Sequence, residues 1–225
     1  MASIKVIVTA DGSHSLLNED LNETYHSVHG AIQESVHVFI QNGFDHFVSQ
    51  QNPEQFSILE IGFGTGLNAL LTIQKIVEKP IRVHYTSLEA YPLGEEIWST
   101  LNYCEELALK PEYKRLHQSA WDIEHLILPQ FTLLKKHTTL QQVSFNPASY
   151  NLIYFDAFAP NKQPELWSID MLQKVVEAMS ESSVFVTYCA KGQLKRDLRA
   201  LGLQIETLAG PPGKHEMVRA TKVKV

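Results

Sequence analysis

The residues best placed to do chemistry begin at Ile58-Leu59-Glu60-Ile61-Gly62-Phe63-Gly64-Thr65-Gly66-Leu67-Asn68. An apolar run there ends in an acid and gives way to three glycines at every second position. Glycines let the backbone turn sharply and let a bulky ligand lie against it with no Cβ in the way. A dinucleotide fingerprint needs its third glycine three residues after the second, opening a helix that faces a pyrophosphate. Leu67 stands at that position, and the glycine comes one residue early, at Gly66. The spacing argues against a nucleotide phosphate. It suits a ligand with an adenosine and an amino-acid tail, namely S-adenosylmethionine (SAM).

Other candidates fall where predicted strands end, the edge at which open α/β sheets bind ligands. Glu89, followed by Ala90, would accept both hydroxyls of a ribose; the plain alternative is an exposed surface acid. Asp122 beside Trp121 would accept from an adenine amino group while apolar atoms cover the ring, or it caps a following helix. Asn68 would hold the ligand's carboxylate end or cap its own helix.

Asp156 is the sharpest catalytic candidate, since it follows the apolar run Ile153-Tyr154-Phe155. A carboxylate there is costly unless a cation or a hydrogen-bond donor meets it, and a sulfonium or an amine would do so. An alkyl amine must lose a proton before its lone pair can attack a methyl. Asp156 with the carbonyls of Ala157 and Phe158 would accept the amine hydrogens, and Phe158 and Pro160 would wall the pocket. Tyr25 and His26, in the polar loop Glu23-Thr24-Tyr25-His26-Ser27, would close over the substrate, with Tyr25 as a second catalytic candidate. Lys162 joins them on the substrate side. Lys214, after Gly210-Pro211-Pro212-Gly213, is either part of a surface hairpin or a basic edge that meets a phosphate.

The elements that must position these groups alternate strand and helix. Ile4–Ala10 and Ser13–Leu17 flank Asp11-Gly12, a hairpin signal. His29–Gln51 has helical spacing, with Gly43 as an expected break or kink. Then come a strand at Ser57–Ile61, a helix at Leu67–Val77, a strand at Arg82–Leu88 and a helix at Gly94–Glu106. A short strand is expected at Tyr113–Gln118, a helix at Ile123–Lys135 and a small strand or loop at Thr138–Phe145. Strand Tyr150–Phe155, helix Pro164–Met179, strand Ser183–Tyr188 and helix Gln193–Leu201 follow. Leu203–Leu208 and Glu216–Thr221 close as a hairpin. The fold class is therefore α/β: a mostly parallel, Rossmann-like twisted sheet with helices on both faces and one antiparallel strand. Residues 1–52 read as an N-terminal extension packed on a core domain of residues 53–225.

The 225 residues, 44% of them hydrophobic, suffice for one buried core. No apolar run approaches a membrane span, and the start of the chain lacks a signal-peptide pattern. Cys104 and Cys189 lack metal-ligand spacing, so no metal is expected and two reduced thiols in a cytoplasmic protein are. The net charge is −6, yet residues 191–225 carry 8 basic against 3 acidic side chains. Lys195, Arg196 and Arg199 there are either the wet side of a helix or a basic face for nucleic acid.

Four stretches together carry a resemblance. They are Glu-Ile-Gly-Phe-Gly-Thr-Gly-Leu-Asn at 60–68, Ser-Leu-Glu-Ala-Tyr-Pro-Leu at 87–93, Phe-Asp-Ala-Phe-Ala-Pro-Asn-Lys-Gln-Pro-Glu-Leu-Trp at 155–167, and Gly-Pro-Pro-Gly-Lys-His-Glu-Met at 210–217. From Glu34 onward the chain resembles the methyltransferase half of the bifunctional tRNA 5-methylaminomethyl-2-thiouridine biosynthesis (MnmC) family. The resemblance implies methyl transfer from SAM to the exocyclic amine of 5-aminomethyl-uridine at the tRNA wobble position, in the anticodon loop. It implies Asp156 as the acid facing the amine, with Glu60, Gly62, Gly64, Gly66 and Glu89 as the cofactor shell. With no second glycine fingerprint, no FAD is expected, and the aminomethyl precursor would come from a separate enzyme. Two further readings stay open: a SAM-dependent methyltransferase or aminopropyltransferase acting on a small amine, and a non-catalytic Rossmann-like binding module.

Overall fold

The computed structural model describes residues 3–77 and 79–224. β1 (Ile4–Val8) and β2 (His14–Asn18) pair antiparallel around Asp11-Gly12, where Gly12 has a φ of +84°. A two-residue β3 (Glu23–Thr24) adds to β2. Residues 31–51 then form one continuous helix whose centre, Val36–Asp45, is wound as a π-helix. Gly43 does not break it. A Cβ at Gly43 would lie 3.0 Å from Val186 Cγ2 and 3.3 Å from Tyr154 Cε1, so the glycine lets the helix press onto the sheet.

The main sheet has eight strands. In chain order they are β4 (Gln55–Ile61), β5 (Arg82–Glu89), β6 (Glu124–Leu128), β7 (Phe131–His137), β8 (Tyr150–Phe155), β9 (Met179–Thr187), β10 (Leu203–Ala209) and β11 (Glu216–Lys222). Their spatial order is β10-β11-β9-β8-β4-β5-β7-β6. β7, β5, β4, β8 and β9 are parallel, while β6 and β11 run against their neighbours. The chain leaves β4 toward β5 and β7, then returns to β8 on the other side of β4. The carboxyl ends of β4 and β8 therefore meet where strand order reverses, which is where such sheets bind ligands. The apolar run of β8 is explained by burial on both sides. Leu152 and Tyr154 join one core, with Phe39, Phe44 and Leu70, while Ile153 and Phe155 join the other, with Leu172 and Val175.

Two expected elements are reversed in type. The segment expected as a strand at 113–118 is the helix Lys110–Gln118, with Pro111 in its first turn. The segment expected as a helix at 123–135 is the β6–β7 hairpin. Its leucines and lysines are good helix formers, but sheet pairing decides: Phe131, Leu133 and Lys135 alternate inward. The helix expected at 94–106 is two short turns, Glu95–Trp98 and Tyr103–Glu106. The helix expected from Pro164 opens as a 3₁₀ turn, Pro164–Trp167, and resumes at Ile169–Ala178. Residues 138–145 form a loop without strand.

Candidate active site

The glycine loop follows β4 and leads into the helix Leu67–Ile76. Gly62 has a φ of +98°, and a Cβ there would fall 2.7 Å from the Asp156 carbonyl oxygen. Only a glycine lets the loop pass so close to the end of β8. The amides of Gly62 and Phe63 both donate to the Leu88 carbonyl at 3.0 Å, which ties the loop to β5 as well. Behind it, the Thr65 carbonyl lies 3.1 Å from His117 Nε2, and the His117 ring stacks on Trp98 at 4.7 Å. Burial holds the His117 pKa down at about 3, so the ring is neutral. The sequence does not single out His117 and Trp98, because both lie in segments whose expected elements differ from those the chain forms.

Two carboxyl groups converge beneath the loop. Glu60 is fully buried and accepts from Ser87 Oγ at 2.6 Å and from Asn68 Nδ2 at 3.1 Å. The same amide nitrogen donates to Asp156 Oδ2 at 2.8 Å. Burial pushes Glu60 up to about 8, opposed by the hydrogen bond from Ser87, and the negative charge of Asp156 adds to the rise. Asp156 is pushed up to about 7 by burial and by the Glu34 carboxylate, against the Asn68 hydrogen bond and the Lys214 charge. Asn68 therefore neither caps its helix, which is capped by Gly66, nor keeps its amide hydrogens for a ligand carboxylate.

A cleft of about 1270 Å³ opens over these groups. Glu89 lies in its wall and accepts from the Gly64 amide and the Tyr91 amide, both at 2.9 Å. Burial raises its pKa. Glu60 and Gly66 are the exceptions among the predicted cofactor residues near the glycine loop. Glu60 sits below the cleft, while Gly62, Gly64, Asn68, Glu89, Ala90, Asp156 and Phe158 line it. Gly66 is turned away from the cleft against His117 and Phe63.

The polar loop before the first helix does reach the cleft. The Tyr25 ring packs edge-on to Phe158 at 5.0 Å and lies beside Gly64, whose Cβ would be 3.3 Å from it. Burial and the neighbouring Glu89 push the Tyr25 phenol up to about 12. His26 is spent elsewhere: its Nε2 lies 2.7 Å from Thr65 Oγ1, and burial lowers its pKa to about 4. It ties the polar loop to the glycine loop. Lys162 Nζ donates to the carbonyls of Leu21 and Asn22 at 2.8 and 3.1 Å, fastening the 156–163 loop to the same segment.

Several predicted roles change. Lys214 does not offer a free charge to a phosphate; it pairs with the buried Glu34 and lies 3.8 Å above the Tyr188 ring. The carbonyls of Ala157 and Phe158 already accept from Tyr188 Oη at 2.7 Å and Trp167 Nε1 at 2.8 Å. Pro160, Trp121 and Asp122 are outside the cleft lining. Trp121 packs beside Phe63 and over the ammonium of Lys135, while Asp122 is an exposed turn residue with a φ of +61° whose amide donates to Lys135. Residues 137–142, from the last residue of β7 onward, line the cleft instead, a position that a helix over 123–135 would not give them.

A family model described as S-adenosyl-L-methionine-dependent methyltransferase matches residues 95–223. The chain belongs to this methyltransferase family. Among its relatives is the tRNA 5-methylaminomethyl-2-thiouridine biosynthesis bifunctional protein MnmC of Burkholderia multivorans. The two are 29% identical over 222 residues, covering 91% of this chain and 33% of the relative. The protein of the same name from Magnetococcus marinus is 31% identical over 207 residues, covering 87% of this chain and 30% of the relative. The methyltransferase thus spans about a third of the length of the curated relatives it matches. The crystal structure of MNMC2 from Aquifex aeolicus superposes with a TM-score of 0.78 at 25% identity, over 100% of this chain and 72% of that one. The CurJ carbon methyltransferase shares the fold, with a TM-score of 0.51 at 11% identity over 89% of this chain and 57% of that one. The fold and the MnmC resemblance expected from the sequence are both borne out.

The methyltransferase site fits the SAM on which the family depends. The cradle at Gly62 and Gly64 is free of Cβ atoms, and a carboxylate on each side, Glu89 and Asp156, suits a diol and a cation. Among the described residues no group of three His, Cys, Asp or Glu side chains is arranged to hold a metal, and no helix is long and apolar enough to cross a membrane.

Proposed function

We propose that this methyltransferase acts on tRNA, methylating the primary amine of 5-aminomethyl-(2-thio)uridine at the wobble position of the anticodon loop. The observation that carries the reading is Asp156. It is a carboxylate at the switch point, fixed by Asn68, facing a cleft larger than the roughly 300–1,000 Å³ of ordinary ligand sites. Such room suits the cofactor together with a nucleotide splayed out of an RNA loop. The names of the matched relatives, which refer to biosynthesis of 5-methylaminomethyl-2-thiouridine in tRNA, support the same reading.

In this proposal Gly62, Gly64, Asn68, Glu89, Ala90 and Phe158 form the cofactor wall, with residues 53–225 as the methyltransferase unit and residues 1–52 as an extension that closes the site. When bound, SAM supplies a methyl on a sulfonium; the amine nitrogen takes it, the carbon–sulfur bond breaks toward sulfur, and S-adenosylhomocysteine remains. The protein's part is to hold the amine and take its proton. Asp156, ionised above about pH 7, accepts that proton. Tyr25 and Phe158 wall the acceptor, and Tyr25 stays a protonated donor at its raised pKa. The primary amine must be supplied by another reaction, and the substrate places the chain in the cytoplasm.

The test is incubation with methyl-labelled SAM and tRNA that retains 5-aminomethyl-uridine, followed by nucleoside digestion. Label in 5-methylaminomethyl-uridine is expected. Label that enters free small amines as readily as tRNA, or no label in tRNA, overturns the reading.

A further inference from the structure

Four segments distant in sequence meet beside Asp156 through a chain of charged and aromatic contacts that the reaction above leaves unused. Glu34, in the first turn of the N-terminal helix, is only 5% exposed. One of its carboxylate oxygens accepts from the Ser27 amide at 2.7 Å, in the loop that carries Tyr25, and the other pairs with Lys214. The Lys214 ammonium rests on the face of Tyr188 at 3.8 Å, and the Tyr188 hydroxyl donates to the carbonyl of Ala157, next in chain to Asp156. Glu34, Tyr188, Lys214 and Asp156 all line the one cleft. A buried carboxylate with a single cationic partner is a strongly coupled arrangement, since either charge alone would be expensive there.

We infer that Glu34 and Lys214 are positioning residues that fix the Asp156 loop through Tyr188 and set the charge balance under which Asp156 accepts a proton. The inference rests on Asp156 being the proton acceptor proposed above. Among the described residues, Asn68 from the helix after the glycine loop donates to Asp156, and five groups act on it through charge: Glu60 from β4, Tyr85 from β5, Glu34 from the N-terminal helix, Tyr188 after β9 and Lys214 from the closing hairpin. Asn68 and Lys214 favour the carboxylate, while Glu34 and Glu60 oppose it. Removing Glu34's negative charge frees Lys214 to act on Asp156, so Asp156 becomes more acidic. Removing both charges together cancels most of that change.

The experiment follows the Asp156 carboxyl directly, by ¹³C NMR of aspartate-labelled protein without substrate, with Asp156→Asn identifying the signal. Glu34→Gln is expected to lower its titration midpoint by about half a pH unit or more. Glu34→Gln with Lys214→Met is expected to return it close to the starting value, and Lys214→Arg to leave it in place. The acidic limb of the methylation rate with tRNA should move in parallel. Should Glu34→Gln fail to fold, Lys214→Met against Lys214→Arg carries the test, with only Met raising the midpoint. Coincident midpoints in wild type and Glu34→Gln, or in the two Lys214 variants, overturn the inference. Shifted midpoints in a protein that leaves tRNA unmethylated would uphold it and remove the substrate assignment instead.

Discussion

Asp156 and Glu60 share one amide group, and that sharing makes their acidities the most testable property of the site. Asp156→Asn keeps the size of the side chain and removes the proton acceptor. The expected result is a fall in methyl-transfer rate of roughly 10²–10⁴-fold. SAM affinity by calorimetry should stay within several-fold, and an equal loss of both would mean that Asp156 serves mainly to bind. The wild-type rate should climb as pH passes about 7. Stability should run the other way. A carboxyl whose folded pKa is raised binds its proton more tightly in the folded chain, so stability falls as pH rises from the unfolded value toward the folded one. For Glu60 that window spans the ordinary carboxylate range, near 4.5, up to about 8, with no further loss above it. Glu60→Gln should flatten the fall in urea-unfolding free energy between pH 5 and 8, and an unchanged slope would contradict this.

At the scale of elements, backbone clearance does the positioning. Gly43→Ala gains helix propensity of about 0.5–1 kcal/mol but forces a methyl between Val186 and Tyr154. Overpacking of about 1–3 kcal/mol should win, which thermal unfolding would show as a lower Tm. The glycine loop, Glu89 at the end of β5 and Asp156 at the end of β8 are legible in the sequence because their spacing and strand ends follow local rules. The 110–137 segment is not. Tyr113 and Leu116 look inward from a helix made of polar residues, and Lys135 is buried at 1% exposure because its ammonium donates to the His117 carbonyl at 2.8 Å and lies over the Phe63 and Trp121 rings. No window of sequence announces an aromatic cage assembled from three segments. Reading 113–118 as a strand puts Trp121 and Asp122 at a strand end, as adenine contacts, whereas the fold makes that segment a helix and presents residues 137–142 to the cleft. The Glu34–Lys214 pair is equally hidden, since its partners lie 180 residues apart.

For the whole molecule, the proposed tRNA substrate would have to be held by charge against a net of −6. Arg196 and Arg199 are exposed on the helix Gly192–Ala200, whereas Lys195 is committed to Glu216 at 2.7 Å. Reversing Arg196 and Arg199 to Glu should weaken tRNA binding and make its salt dependence shallower, by about one slope unit for each phosphate no longer neutralised. SAM binding should be untouched. Filter binding across a salt series reads this, and an unaltered slope would place the RNA on another face.

The π-wound stretch Val36–Asp45 also has a bearing on insertions and deletions. Its wide turns set the angle at which Glu34 arrives over Lys214, much as the thread of a screw sets where its slot comes to rest. Removing one residue from it would turn what precedes about the helix axis and swing that carboxylate away from its partner, although no amino acid in the cleft had changed.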